Sequence, residues 1–237
     1  MNASVVTTAE QTTLRRDPTV RFRRTATAMA LPVGILLQVA ANTVYALGTM
    51  DGGSDQTGAG ALELYSSNTS AWRICIALAM VGSMLIVAGI PAALRVLRPT
   101  RPKLSLAAGL LMAAGYMAYV GIVAITFLEI ALAVQGVDAG AAIDASEDYP
   151  AGLPFFLLFV AGNLVGTLLL GFAVLLSRQL PWITGALIIA WPVLHITGLI
   201  VGTEWFAVSG GIVETIGLGL LAAAALRLSD AQWVARG

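Results

Sequence analysis

The chain has 237 residues, of which 58% are hydrophobic and 11% charged. A soluble domain carries about 25% charged residues, so this composition excludes an ordinary soluble globule and a disordered chain. Thirteen basic and thirteen acidic residues cancel, leaving no basic field for a nucleic-acid partner.

Residues 1–27 read as a polar, Arg-rich tail. The apolar run that follows, 28–50, exceeds the length of a secretory signal, although Val44 and Ala46 loosely fit a small-x-small cleavage site. It is instead the first of six runs near the ~20 residues that span hydrocarbon as a helix. The others are 74–94, 104–133, 153–176, 182–202 and 206–226. The fold class expected is all-α: a polytopic transmembrane bundle over 28–228 with a short tail, 229–237. Strands are not expected, because an open sheet edge is unsatisfied in lipid.

Charge sets the orientation. Arg15, Arg16, Arg21, Arg23 and Arg24 precede span one, and Arg95, Arg98, Arg101 and Lys103 join spans two and three. Arg178 joins spans four and five, and Arg227 and Arg236 follow span six. Twelve of the thirteen basic residues thus share one side, and only Arg73 dissents. The positive-inside rule places both termini in the cytoplasm of a multi-pass plasma-membrane protein, with a bacterial host implied. Membrane lipids are the first partners of such a chain, and the juxtamembrane arginines suit anionic headgroups.

The outer loops carry most acids. The 51–70 loop contains Leu62, Leu64 and Tyr65, which suit a short interfacial turn, and 135–152 is acidic. Trp72, Trp182 and Trp205 lie at span ends, where tryptophan anchors a helix at the interface. Pro32, Pro91 and Pro192 lie inside spans one, two and five, where proline kinks a helix or frees a carbonyl. Gly162 with Gly166, Gly198 with Gly202, and Gly82 with Gly89 form small-residue faces for close packing. Such a face also offers a route to a homo-oligomer.

The stretch from Trp72-Arg73-Ile74 to Leu94-Arg95-Val96-Leu97-Arg98-Pro99 resembles a segment of small bacterial membrane proteins of uncharacterised function. In these an aromatic-Arg start leads through an apolar helix to a basic turn with proline. The resemblance covers about thirty residues and implies a six-span bundle but no activity.

Few polar groups lie inside the spans. They are Gln38, Asn42, Glu129, Asn163, His195 and Glu214. At ~1.5 Å of rise per residue, Asn42 and Glu214 fall about 12 Å below the outer end, and His195 about 10 Å. Asn163 falls at about 15 Å, Glu129 at about 6 Å and Gln38 at about 18 Å. In a core ~30 Å thick, all but Gln38 belong to the outer half or its floor. Helical spacing groups Gln38, Asn42, Tyr45 and Thr49; Tyr119, Thr126 and Glu129; Phe159, Asn163 and Gly166; and Trp191, His195, Gly198 and Gly202, with Trp205 just beyond. Turned inward, these stripes and Glu214 would enclose one cavity, shut toward the cytoplasm.

Structural alternatives stand beside this reading. Glu129 could pair with Arg73. Asn42 and Asn163 could be interhelical hydrogen-bond glue, and His195 a satisfied core histidine. A carboxylate near mid-membrane costs several kcal/mol, so Glu214 is expected neutral or paired, and functional. Glu214 and His195 are the candidate catalytic pair. Asn42, Tyr45, Tyr119, Glu129, Phe159, Asn163 and Trp191 are candidate binding residues for an apolar or amphiphilic small molecule. Acid-initiated isomerisation or cyclisation of an isoprenoid is one chemistry that such a set would suit, with aromatic faces shielding cations. A non-catalytic lipid binder, a proton-coupled exporter and a scaffold subunit are the other readings. One cysteine and one histidine cannot build a zinc site, and neither a P-loop nor a dinucleotide fingerprint occurs, so no cofactor is expected.

Overall fold

The computed structural model describes residues 17–237; Arg15, Arg16 and the rest of the expected tail before Asp17 lie outside the described residues. Those described form ten α-helices and one π-helical turn, with no strand among them. Six helices are long and apolar enough to cross a membrane: α1 (Val20–Gly48), α3 (Thr69–Leu97), α4 (Pro102–Val134), the composite Leu153–Ser177, α8 (Trp182–Val201) and α9 (Trp205–Leu226). Shorter helices are α2 (Gly58–Ser67), α5 (Gly140–Glu147) and α10 (Asp230–Ala235). The composite span consists of α6 (Leu153–Val160), the π turn Ala161–Val165 and α7 (Gly166–Ser177).

Helix ends depart from the apolar runs where polar groups can hold a further turn. α1 starts at Val20, so residues 20–27, read above as tail, form its first two turns. The Asp17 carboxylate accepts from the Thr19 amide at 2.9 Å and pairs with Arg23 at 2.5 Å, which anchors that start. α3 starts at Thr69 because the Asn68 side chain accepts from the Ala71 amide at 3.2 Å, satisfying one orphan donor of the first turn. α8 stops one residue early: Gly202 takes the left-handed conformation (φ 75°) that closes a helix. Gly202 is therefore a helix terminus rather than part of a packing face, whereas Gly198 is buried and packs close, a Cβ there standing 3.1 Å from Phe206 Cβ of α9.

The loop 51–70 holds a full helix rather than a single turn. α2 buries Ala61, Leu64 and Tyr65, and its first amide, on Gly58, donates to Asp144 of α5 at 2.6 Å. Trp72 is clasped edge-on by Tyr45 and Tyr65, at 5.9 and 5.4 Å between ring centroids, and is 2% exposed. It is a core residue, unlike Trp182, which is exposed as an interfacial anchor should be.

The spans close a ring. α1 packs on α3 and α9, α9 on α8, α8 on α7, the composite span on α4, and α4 on α3. Several contacts bring backbones close enough to need glycine, among them two between glycines of neighbouring spans on either side of the ring. A Cβ on Gly82 would stand 2.8 Å from the Gly34 carbonyl oxygen, and one on Gly115 would stand 2.5 Å from Gly162 Cα. Without a hydrophobic drive between helices in lipid, such backbone approach supplies the packing. α1, α3 and α8 continue as helix through Pro32, Pro91 and Pro192. A break in regular α-helical geometry comes at Ala161–Val165, which contains no proline.

The ring has unlike ends. At the basic end Arg24 pairs with Asp230 at 2.6 Å, Arg95 lies 4.3 Å from the Trp233 ring centroid, and Arg101 donates to the Leu176 carbonyl at 3.0 Å. The half below that end is filled by an apolar core that includes Ile86, Leu97, Met112, Val174, Ile188, Leu218 and Leu221. The opposite, acidic end carries α2, α5 and Glu204. The polar residues of the spans lie in this half, where the core does not fill the ring.

Candidate functional site

A cavity of about 90 Å³ opens inside the acidic half of the ring. It draws side chains from five spans: Ile35, Gln38, Val39 and Asn42 of α1; Tyr116 and Tyr119 of α4; Phe159 and Asn163 of the composite span; Trp191 and His195 of α8; and Gly211 and Glu214 of α9. Seven of the nine candidate residues therefore meet there: Glu214, His195, Asn42, Tyr119, Phe159, Asn163 and Trp191.

Glu214 sits deepest, at 1% exposure. Gly210 and Gly211, a turn away on α9, pack against Trp191 of α8 and so bring that helix close beside the acid. Neither carboxyl oxygen has a hydrogen-bond partner. The same holds for His195 Nδ1 and Asn163 Oδ1, so four buried polar atoms on three spans are left unsatisfied around one space. The other unsatisfied side-chain atoms among the described residues, on Arg24, Thr167 and Thr184, belong to residues that do not line it. Buried polar groups in folded proteins are nearly always paired, and exceptions call for an explanation.

Aromatic rings wall the cavity. Trp191 and His195 are stacked, with centroids 5.1 Å apart and planes 11° apart. Tyr119 and Phe159 stack from the opposite side at 4.6 Å. Asn42, Tyr119, Phe159 and His195 are half-buried and form the rim, while Gln38, Tyr116, Asn163 and Trp191 are buried. The π turn carries Asn163, and π turns recur at functional sites because they re-aim side chains within a helix.

Hydrogen bonding separates the three amides. Gln38 donates to the Ala79 carbonyl and to Ser83 Oγ, both at 2.8 Å, so Gln38 is the glue between α1 and α3. Asn163 lacks a partner for its carbonyl oxygen, so that atom does not serve as glue. Asn42 stands at the rim.

Two candidates lie elsewhere. Tyr45 is on the expected face but one turn nearer the acidic end, and its hydroxyl donates to Asp55 at 2.7 Å. It lines a second hollow, a vestibule of about 440 Å³ that also takes in Asp55, Gly198, Glu204 and Trp205. Since Tyr45 follows Asn42 on α1 and Gly198 follows His195 on α8, each by three residues, the vestibule stands over the cavity. Glu204, at its wall, is pushed above the usual carboxyl range, first by burial and then by Asp55. Glu129 also misses the cavity. It is ten residues beyond Tyr119, about 2.8 turns, which rotates it off that face. It is half-buried and makes no ion pair with the exposed Arg73; the only ion pairs among the described residues are Arg23–Asp17 and Arg24–Asp230.

Tyr116 was missed in the sequence, although it is three residues from Tyr119 and so shares its face. The sequence gives no comparable sign of the π turn. The chain matches no protein-family model, and neither a curated protein nor a solved structure matches it.

Proposed function

We propose that this chain is an integral membrane protein that binds the polar end of a small amphiphile in the cavity around Glu214. The observation that carries the reading is that the three residues bearing four unsatisfied polar atoms, Glu214, His195 and Asn163, all line one aromatic-walled space. An uncompensated buried carboxyl is costly, and fold stability alone gives no reason to keep one. A ligand that hydrogen-bonds these atoms removes that cost when it binds.

Size bears on the alternatives. Sites that enclose a drug-sized ligand span about 300–1,000 Å³, whereas this cavity is about 90 Å³. A polar head and its first carbons fit. Cyclisation would need the whole isoprenoid folded inside, so binding is the reading carried forward and Glu214 is its anchor rather than its acid catalyst. In this reading the apolar chain of the ligand leaves past the half-buried rim residues Phe159 and His195 toward lipid.

A photoreactive alkyl alcohol, added to the purified protein in lipid nanodiscs, tests this. Cross-links should map to Tyr119, Trp191 and the α9 segment around Gly211, and fall at least fivefold in Asn42→Phe, which narrows the rim. Cross-links confined to lipid-facing residues such as Phe155 and Ile200, and unchanged in that variant, would contradict it.

The same reading places both termini, and the basic end, in the cytoplasm of the plasma membrane, so that the cavity opens in the outer half. The clustering of Arg24, Arg95, Arg98, Arg101 and Lys103 supports it. In a Cys75→Ala background, a membrane-impermeant maleimide applied to intact cells should label Asp51→Cys and leave Lys103→Cys unmodified until the cells are opened. The reverse pattern would invert the assignment.

A further inference from the structure

We propose that the cavity is selective for a primary alkylamine, whose nitrogen is held by Glu214, Asn163 and His195 beneath the rings of Trp191, Tyr119 and Phe159. The inference deepens the binding reading above and rests on it.

Four features of the site select an amine. The unsatisfied atoms are all able to accept: two carboxyl oxygens, an amide oxygen and an imidazole nitrogen. A primary ammonium offers three N–H donors and no acceptor, the complement of that set. Next, no Lys or Arg lines the cavity, so it holds no permanent cation, and Glu214 is its only carboxyl. A phosphate or carboxylate head would meet that acid with no permanent cation to neutralise it. The remaining titratable groups of the lining are Tyr116, Tyr119 and His195, which supply no permanent charge. Then the walls are aromatic, and ring faces attract a desolvated cation. Finally, the vestibule above is lined by Asp55 and Glu204 and by no basic residue. A hollow lined by one sign of charge concentrates the opposite ion at its mouth.

Loading requires no uncompensated charge in the membrane. The ammonium gathered in the vestibule gives up one proton to water there, and the amine enters as the free base. The O–H bond of the Glu214 carboxyl breaks, an N–H bond forms, and the resulting ammonium–carboxylate pair is neutral overall. Asn163 Oδ1 and His195 Nδ1 take the remaining donors.

The test uses the full chain in nanodiscs and displacement of the photoreactive alkyl alcohol by octylamine, 1-octanol or octanoate. Octylamine should displace the probe at a concentration at least tenfold below that of 1-octanol, and octanoate should be weaker than both. In Glu214→Gln the amine should lose its advantage while 1-octanol still competes. In Asn163→Leu the advantage should shrink, with an unchanged unfolding transition reporting an intact fold. Equal displacement by amine and alcohol in the wild type, or an amine advantage that survives Glu214→Gln, would overturn the amine assignment and leave the cavity as a binding site. Failure of the probe to label the cavity at all would remove both readings.

Discussion

Glu214→Leu should make the protein more stable and unable to bind its ligand. Leucine is close to glutamate in volume and needs no hydrogen bond, whereas both carboxyl oxygens of Glu214 lack one. An unsatisfied buried polar group costs about 1–3 kcal/mol, and an apolar side chain of similar shape removes that cost. The gain is read from unfolding in mild detergent. Glu214→Ala is the contrasting case: it also removes the polar group but enlarges the cavity, so its gain should be smaller or negative. If Glu214→Leu unfolds more readily than the wild type by a similar margin, the carboxyl has a structural partner and the cavity is not a site.

Gly162→Val should be among the most damaging single substitutions in the bundle. A Cβ at Gly162 would stand 2.5 Å from the Leu111 carbonyl oxygen and 2.7 Å from the Gly115 amide nitrogen, and neither backbone atom can swing aside. α4 and the composite span must then separate. Overpacking costs typically about 1–3 kcal/mol and more where backbone has to move, so a loss of about 3 kcal/mol is expected. Because Gly162 belongs to the π turn that carries Asn163, binding should fall with stability. Gly121→Val is the matched control on α4: a Cβ there meets nothing within 4 Å, and its effect should stay within about 0.5 kcal/mol. Equal damage at both positions would mean that helix propensity, rather than the α4 contact, governs the outcome.

The fold was legible because hydrocarbon permits few solutions. A chain with six long apolar runs must satisfy its backbone within helices, and each run appears as a span within a few residues, save for the eight residues added before the first. Those added turns are held by Asp17 and Arg23, polar groups that a hydropathy reading discards. Most of the cavity was legible for a related reason. Polar side chains inside spans are rare, and depth counted along each helix placed Asn42, Asn163, His195 and Glu214 in one half.

What the sequence hid depends on rotation and on neighbours. Glu129 and Tyr119 share a stripe only when drift around the helix is ignored over ten residues. Tyr45 has the right face, but Asp55, from a loop whose path no periodicity predicts, draws its hydroxyl into the vestibule. Trp72 reads as an interfacial anchor until α2 folds over it with Tyr65. The π turn contains no proline, and it coincides with the close backbone contact between Gly162 and Gly115, a pairing visible only once α4 and the composite span are set together.

The central claim is that Glu214 is an unpaired acid facing a space that ligands enter. Compact hydrophobic carbodiimides reach membrane-embedded carboxylic acids from lipid, so reaction with N,N′-diisopropylcarbodiimide followed by peptide mapping tests it directly. Glu214 should be modified, and prior loading with octylamine or 1-octanol should slow that modification while leaving the half-buried Glu129 unaffected. Modification of Glu129 and Glu204 with Glu214 untouched, or a Glu214 rate indifferent to both ligands, would contradict the account.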